Sequence, residues 1–165
     1  MPTVVPDRIE KQILLRAPLA KVWQAITDSQ QFGSWFGVKF HGPFKAGEKV
    51  AGTLTPTTVD PKVAEMQKPH AGITFDIFID RIEPQRLFSF RWHPYGIDPS
   101  FDPANEQMTL VAFTLEQKTD GVLLTVTESG FDGVSLERRA EAFKMNEGGW
   151  AEQMRLIEKY LAQAS

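Results

Sequence analysis

The chain has 165 residues, 42% of them hydrophobic and 24% charged, with a net charge of −3. That is enough apolar mass for one core and too little positive charge for nucleic acid or an anionic membrane as the main partner. There is no cysteine, which removes disulfides, iron–sulfur ligation, thiolate zinc sites and cysteine nucleophiles together.

Taken in chain order, Ile9 to Arg16 reads as a first strand. Pro18 suits the first position of a helix, where a missing N–H costs nothing, and Leu19, Val22, Trp23 and Ile26 follow helical spacing. A second short helix is expected over Asp28 to Trp35, after which Phe36, Val38 and Phe40 alternate as a strand. Lys49 to Thr55 reads as the next strand, and Thr55 to Gly72, with its three prolines, as a loop. Ile73, Phe75, Ile77 and Ile79 form a period-two row opposite Thr74, Asp76 and Asp80. A strand over Leu87 to His93 carries Phe88, Phe90 and Trp92 on one side, and HPYGIDPSFDPANEQ is a second long loop. Val111, Phe113 and Leu115 alternate in the next strand. The turn KTDG follows, and then Leu124, Val126 and Glu128 share one face of another strand. From Leu136 the period becomes helical. Ala140, Phe143, Trp150, Met154, Ile157 and Leu161 make one stripe, with Arg138, Glu141, Glu152, Arg155 and Lys159 lying away from it.

Strand, two short helices, a run of antiparallel strands and one long C-terminal helix imply an α+β layer. One domain is expected over residues 1–165, with residues 1–7 a disordered tail. The opening MPTVVPDRIEKQ has no apolar signal segment, and no apolar run is long enough to span a bilayer. A cytoplasmic location is expected.

Several stretches carry a family resemblance: RAPLAKVWQAIT (Arg16 to Thr27), Trp35, EPQRLFSFRW (Glu83 to Trp92), LLTVTESGF (Leu123 to Phe131) and GGWAEQMRLIEKYL (Gly148 to Leu161). Together they resemble the START-like, or SRPBCC, superfamily, and within it the homologues of the activator of the heat-shock protein 90 ATPase. The resemblance implies a helix-grip fold: a curved antiparallel sheet of about six or seven strands wrapped around the long last helix, with an internal cavity between them. It also implies a link to chaperones and the stress response. These motifs are structural, so they speak to fold more than to any reaction.

On that fold the aromatic residues Trp35, Phe36, Phe75, Phe90, Trp92, Phe113 and Trp150, with Met154, become candidates for the cavity wall. The paired Gly148 and Gly149 beside Trp150 are expected to bend the helix or let a neighbouring backbone come close. Glu128 shares the buried face of its strand, and a buried carboxylate needs partners. Asn146 lies near the buried stripe and could face it. His93, at a strand end, could rim the cavity mouth. The three histidines have no metal-like spacing, and no metal, cofactor or catalytic residue is assigned.

The reading favoured is a binding module for a small hydrophobic ligand, aromatic or lipid-like, acting as monomer or homodimer. One alternative is a protein-interaction role, regulating a chaperone ATPase as partner. Another is a cavity enzyme of cyclase or hydrolase type with Glu128 as acid or base, which would need two polar groups within reach of one reacting atom.

Overall fold

A computed structural model describes residues 8–94, 101, 104 and 106–163; the expected N-terminal tail lies outside the described residues. A strand β1 (Arg8–Leu15) is followed by helices α1 (Leu19–Thr27) and α2 (Ser29–Phe36), and then by strands β2 (Val38–Phe40) and β3 (Lys49–Leu54). A short helix α3 (Pro61–Gln67) precedes strands β4 (Thr74–Glu83), β5 (Leu87–Trp92), β6 (Thr109–Lys118) and β7 (Gly121–Ser129). The last element is α4 (Leu136–Gln163), 28 residues long, or about 42 Å at the usual helical rise.

The seven strands form one curved antiparallel sheet in the order β1-β7-β6-β5-β4-β3-β2, gripping α4 as the helix-grip architecture requires. Each strand neighbours its sequence neighbour except β1, which closes against β7 with Ile9 opposite Glu128 and Leu15 opposite Val122. Next to Asp80 the β4–β5 register shifts by a bulge, which adds local twist. The core lies where α1 and α2 plug the space between sheet and α4. Phe32 of α2 is its centre, with Trp35, Phe36, Phe40, Phe44, Phe88, Phe90 and Phe113 all within ring contact. Edge-on and tilted geometries dominate, as the ring quadrupole favours. Buried Trp35 donates its indole N–H to the Ala25 carbonyl at 2.8 Å, tying α2 to α1.

Local chemistry explains the element ends. Asp28 caps α2 by accepting from the backbone N–H groups of Gln30 and Gln31, and Gly37, at φ 99°, ends it in the left-handed region where a side chain would strain. A Cβ on Gly33 would fall 2.0 Å from the Val38 carbonyl oxygen, so only glycine lets β2 leave α2 so closely.

In six places the structure departs from the expectations above. Thr55 to Gly72 is not all loop: Asp60 caps α3 by accepting from Lys62 and Val63, and Pro61 takes its first turn, a start signal that the prolines on either side disguised. Pro18 is the residue before α1 rather than inside it, and Phe36 ends α2 rather than opening a strand. On α4, Ala140 is exposed, whereas Arg138, placed away from the buried side, is 1% exposed. Finally, α4 runs through both glycines, and a Cβ built on Gly148 or Gly149 meets nothing within 4 Å. No neighbouring backbone approaches them.

Candidate ligand-binding site

The site grows from one buried carboxylate. Glu128 lies on β7 between Ile9 of β1 and Val111 of β6, and is fully buried. One carboxylate oxygen accepts from the Trp92 indole N–H at 2.8 Å and the Thr109 hydroxyl at 2.5 Å. The other accepts from the Asn146 amide at 2.8 Å and the Trp150 indole N–H at 2.9 Å. Asn146 and Trp150 are four apart on α4 and so share a helix face. Trp92 and Thr109 face each other across β5 and β6. Four donors fill the roughly four acceptor positions of a carboxylate, and none of them is a cation. The network joins three strands to the helix, and it fixes the two indole rings at 5.8 Å centre to centre.

Two cavities open beside this network. The larger, about 580 Å³, lies between the start of β4, the end of β5, residues His93, Phe101 and Met108, and α4, with rings and thioethers prominent in its wall: Phe36, Phe75, Trp92, Phe101, Met108 and Met145. The smaller, about 130 Å³, adjoins Gly149 and is bordered by Phe36, Trp92, Asn146, Trp150 and Gln153. The open space that an alanine methyl at Gly149 would occupy is therefore next to a cavity rather than to packed backbone.

Of the residues expected at the site, Phe36, Phe75, Trp92 and Asn146 border the larger cavity and Trp150 the smaller. Trp35, Phe90, Phe113 and Met154 belong to the close-packed core behind them. Glu128 does not border either cavity; it orients Trp92, Asn146 and Trp150, which do. His93 borders the larger cavity, as its strand-end position allowed. Sequence reasoning missed Ile73, Phe78 and Met145, all bordering the larger cavity and 38%, 38% and 44% exposed. A signal existed for Phe78, a ring in the otherwise polar row of Thr74, Asp76 and Asp80. Asp76, on the face opposite the apolar row, also reaches the cavity edge, with Lys49 3.9 Å away.

A second buried polar cluster joins Pro94, Phe101 and Glu106 to the start of α4. Arg138 grips Glu106 with two N–H donors at 2.6 and 2.9 Å, and both side chains are 1% exposed. Ser135 donates its hydroxyl to Glu106 at 2.9 Å, and Arg138 also donates to the Pro94 carbonyl at 2.8 Å. The guanidinium carbon stands 5.0 Å from the centre of the Phe101 ring, near enough for a cation–π contact. Burial alone would push the Glu106 carboxyl up, but the hydrogen bonds and charge of Arg138, with Ser135, outweigh it and hold the carboxyl below its ordinary range. The cluster thus anchors Phe101, a wall residue, to the start of α4. Among the described residues no group of three His, Asp or Glu side chains could hold a metal ion, and no helix is long and apolar enough to cross a membrane.

Solved structures share this architecture across nearly the whole chain. The protein MLL2253 from Mesorhizobium loti is 20% identical with a TM-score of 0.70, covering 96% of this chain and 98% of that one. The Aha1 dimer from Colwellia psychrerythraea is 15% identical with a TM-score of 0.65, covering 93% and 95%. DynU16, from the dynemicin biosynthetic locus, is 24% identical with a TM-score of 0.67; it covers 98% of this chain, which matches 49% of that one. At such identities the likeness establishes the fold. No curated protein matches the chain. Residues 16–162 match the family described as Activator of Hsp90 ATPase homolog 1-like protein, and with that match over most of its length the chain belongs to this family, at the coarse level a ligand-binding helix-grip module.

Proposed function

We propose that the protein binds a small, largely apolar ligand in the larger cavity, between α4 and the β3–β5 side of the sheet. The observation that carries this reading is the cavity itself. At about 580 Å³ it falls in the range of small-molecule sites, and its wall has their usual character, mostly apolar with a few polar groups. Exposed Ile73, Phe78 and Met145 at its edge are apolar surface that a folded chain otherwise buries, and an occupant would cover it. Methionines suit such a wall because their side chains adapt to the shape of what they touch. Glu128 borders neither cavity, and a reaction led by it would first have to displace one of its four donors, so binding without chemistry is the reading the geometry supports best.

The test is titration with the neutral fluorophore N-phenyl-1-naphthylamine. Saturable one-to-one binding is expected, with its fluorescence rising as it leaves water. A Met145→Trp substitution, which adds bulk at an exposed edge position, should weaken binding at least tenfold while leaving the thermal midpoint unchanged. Absence of binding, or binding indifferent to the added bulk, overturns the assignment.

A further inference from the structure

We infer that the cavity selects ligands carrying a hydrogen-bond donor, a hydroxyl or an N–H on a flat apolar body, and discriminates against carboxylates; this rests on the binding reading above. The direction of each fixed polar group sets this preference. A carboxylate only accepts, so the Asn146 amide must turn its NH₂ towards Glu128, where it sits at 2.8 Å. That leaves its carbonyl oxygen as the atom a ligand can meet, and this oxygen has no hydrogen-bond partner among the described residues. Asn146 borders both cavities. Trp92, which also borders both, has its single donor committed to Glu128. The two groups on the floor that could have donated to a ligand are therefore turned inward.

Gln153 repeats the pattern independently at the smaller cavity. Its NH₂ donates to the Phe36 carbonyl at 3.0 Å, and its own carbonyl oxygen is buried with no partner among the described residues. Orphaned buried acceptors are uncommon and call for an explanation; a donor brought in by the occupant supplies one. Charge points the same way. No lysine or arginine borders either cavity among the described residues; Asp76, at the edge of the larger, has Lys49 3.9 Å away, whereas the Glu128 carboxylate, whose partners are all uncharged, lies directly behind Trp92 and Asn146. A ligand carboxylate would meet acceptors and like charge there. Thr74 and His93 can donate or accept, so they favour neither outcome.

The experiment compares four probes of nearly equal shape on the wild-type protein at neutral pH, followed by tryptophan fluorescence: naphthalene, 1-naphthol, 1-methoxynaphthalene and 1-naphthoate. Naphthol is expected to bind about three- to tenfold more tightly than naphthalene, the net effect of one hydrogen bond. Methoxynaphthalene, with the same oxygen and no donor, should fall back to the naphthalene level, and naphthoate should be weakest. In Asn146→Ala the naphthol-to-naphthalene ratio should drop to near one while naphthalene still binds; if that variant does not fold, the methoxynaphthalene comparison decides alone. Methoxynaphthalene matching naphthol, or naphthoate binding best, overturns the donor inference and leaves the cavity reading standing. Failure of naphthalene itself to bind overturns both.

Discussion

At the residue scale the controlling group is Glu128, and its substitution by glutamine is more damaging than the near-identical shape suggests. Each carboxylate oxygen serves one indole, Trp92 on one side and Trp150 on the other. Thr109 can turn its hydroxyl to accept, and Asn146 can flip its amide, so either could adapt to a new NH₂. An indole can only donate. Whichever way the glutamine amide lies, one tryptophan N–H is left buried without an acceptor. Glu128→Gln is therefore expected to cost about 1–3 kcal/mol, measured by denaturant unfolding. Pairing it with Trp92→Phe or Trp150→Phe should recover part of that loss, which independent effects would not do. The inward position of Glu128 was readable from alternation with Leu124 and Val126, because strand faces repeat every two residues. Its four partners were not readable. They come from two other strands and a helix, and which donors converge there depends on sheet register and on how α4 is rotated.

At the element scale α4 contains both an error of reading and a test. A 3.6-residue stripe put Arg138 away from the buried side, yet it is buried because its partner, Glu106, comes from before β6 rather than from the helix. Periodicity cannot show such a contact. Gly148 and Gly149 were legible as anomalies, but the expected close approach is absent, so nothing in the packing requires them. Gly148→Ala and Gly149→Ala should each stabilise the protein, by up to about 1 kcal/mol, the usual helix-interior difference, seen as a higher denaturant midpoint. Gly149→Ala alone should also shrink the smaller cavity, which adjoins that residue. On α3 the prediction has the opposite sign. Asp60→Ala removes an N-cap, and with it the partner of Lys159, and should cost about 1 kcal/mol by the same measurement.

At the scale of the whole molecule, acid should weaken the fold by releasing two carboxylates that the folded chain holds ionised. Glu106 is held below its ordinary value of 4.5 by Arg138 and Ser135, against the opposing effect of burial. Asp60 is likewise lowered, first by its hydrogen bond from Lys159. A carboxylate depressed in the folded state contributes stability that is present above its unfolded value and lost as pH falls through the folded one. The thermal midpoint should therefore hold down to about pH 4.5 and fall below it, and Glu106→Gln should start lower and fall less steeply over that acid range. The antiparallel sheet and the gripped helix were visible in the run of alternating strands and in the family motifs, whereas the pairing of β1 with β7 was not stated by either. The residues at the cavity's edge, Ile73, Phe78 and Met145, were not visible, since that edge is built from chain segments far apart in sequence. The Glu128 network has one further consequence, for descent rather than for stability. Trp92, Thr109, Glu128, Asn146 and Trp150 form a lock in which any single change at Glu128 strands at least one neighbour. Lineages should therefore either keep the five together or exchange several at once, so across diverging relatives these positions should drift as a linked set, with intermediate combinations scarce.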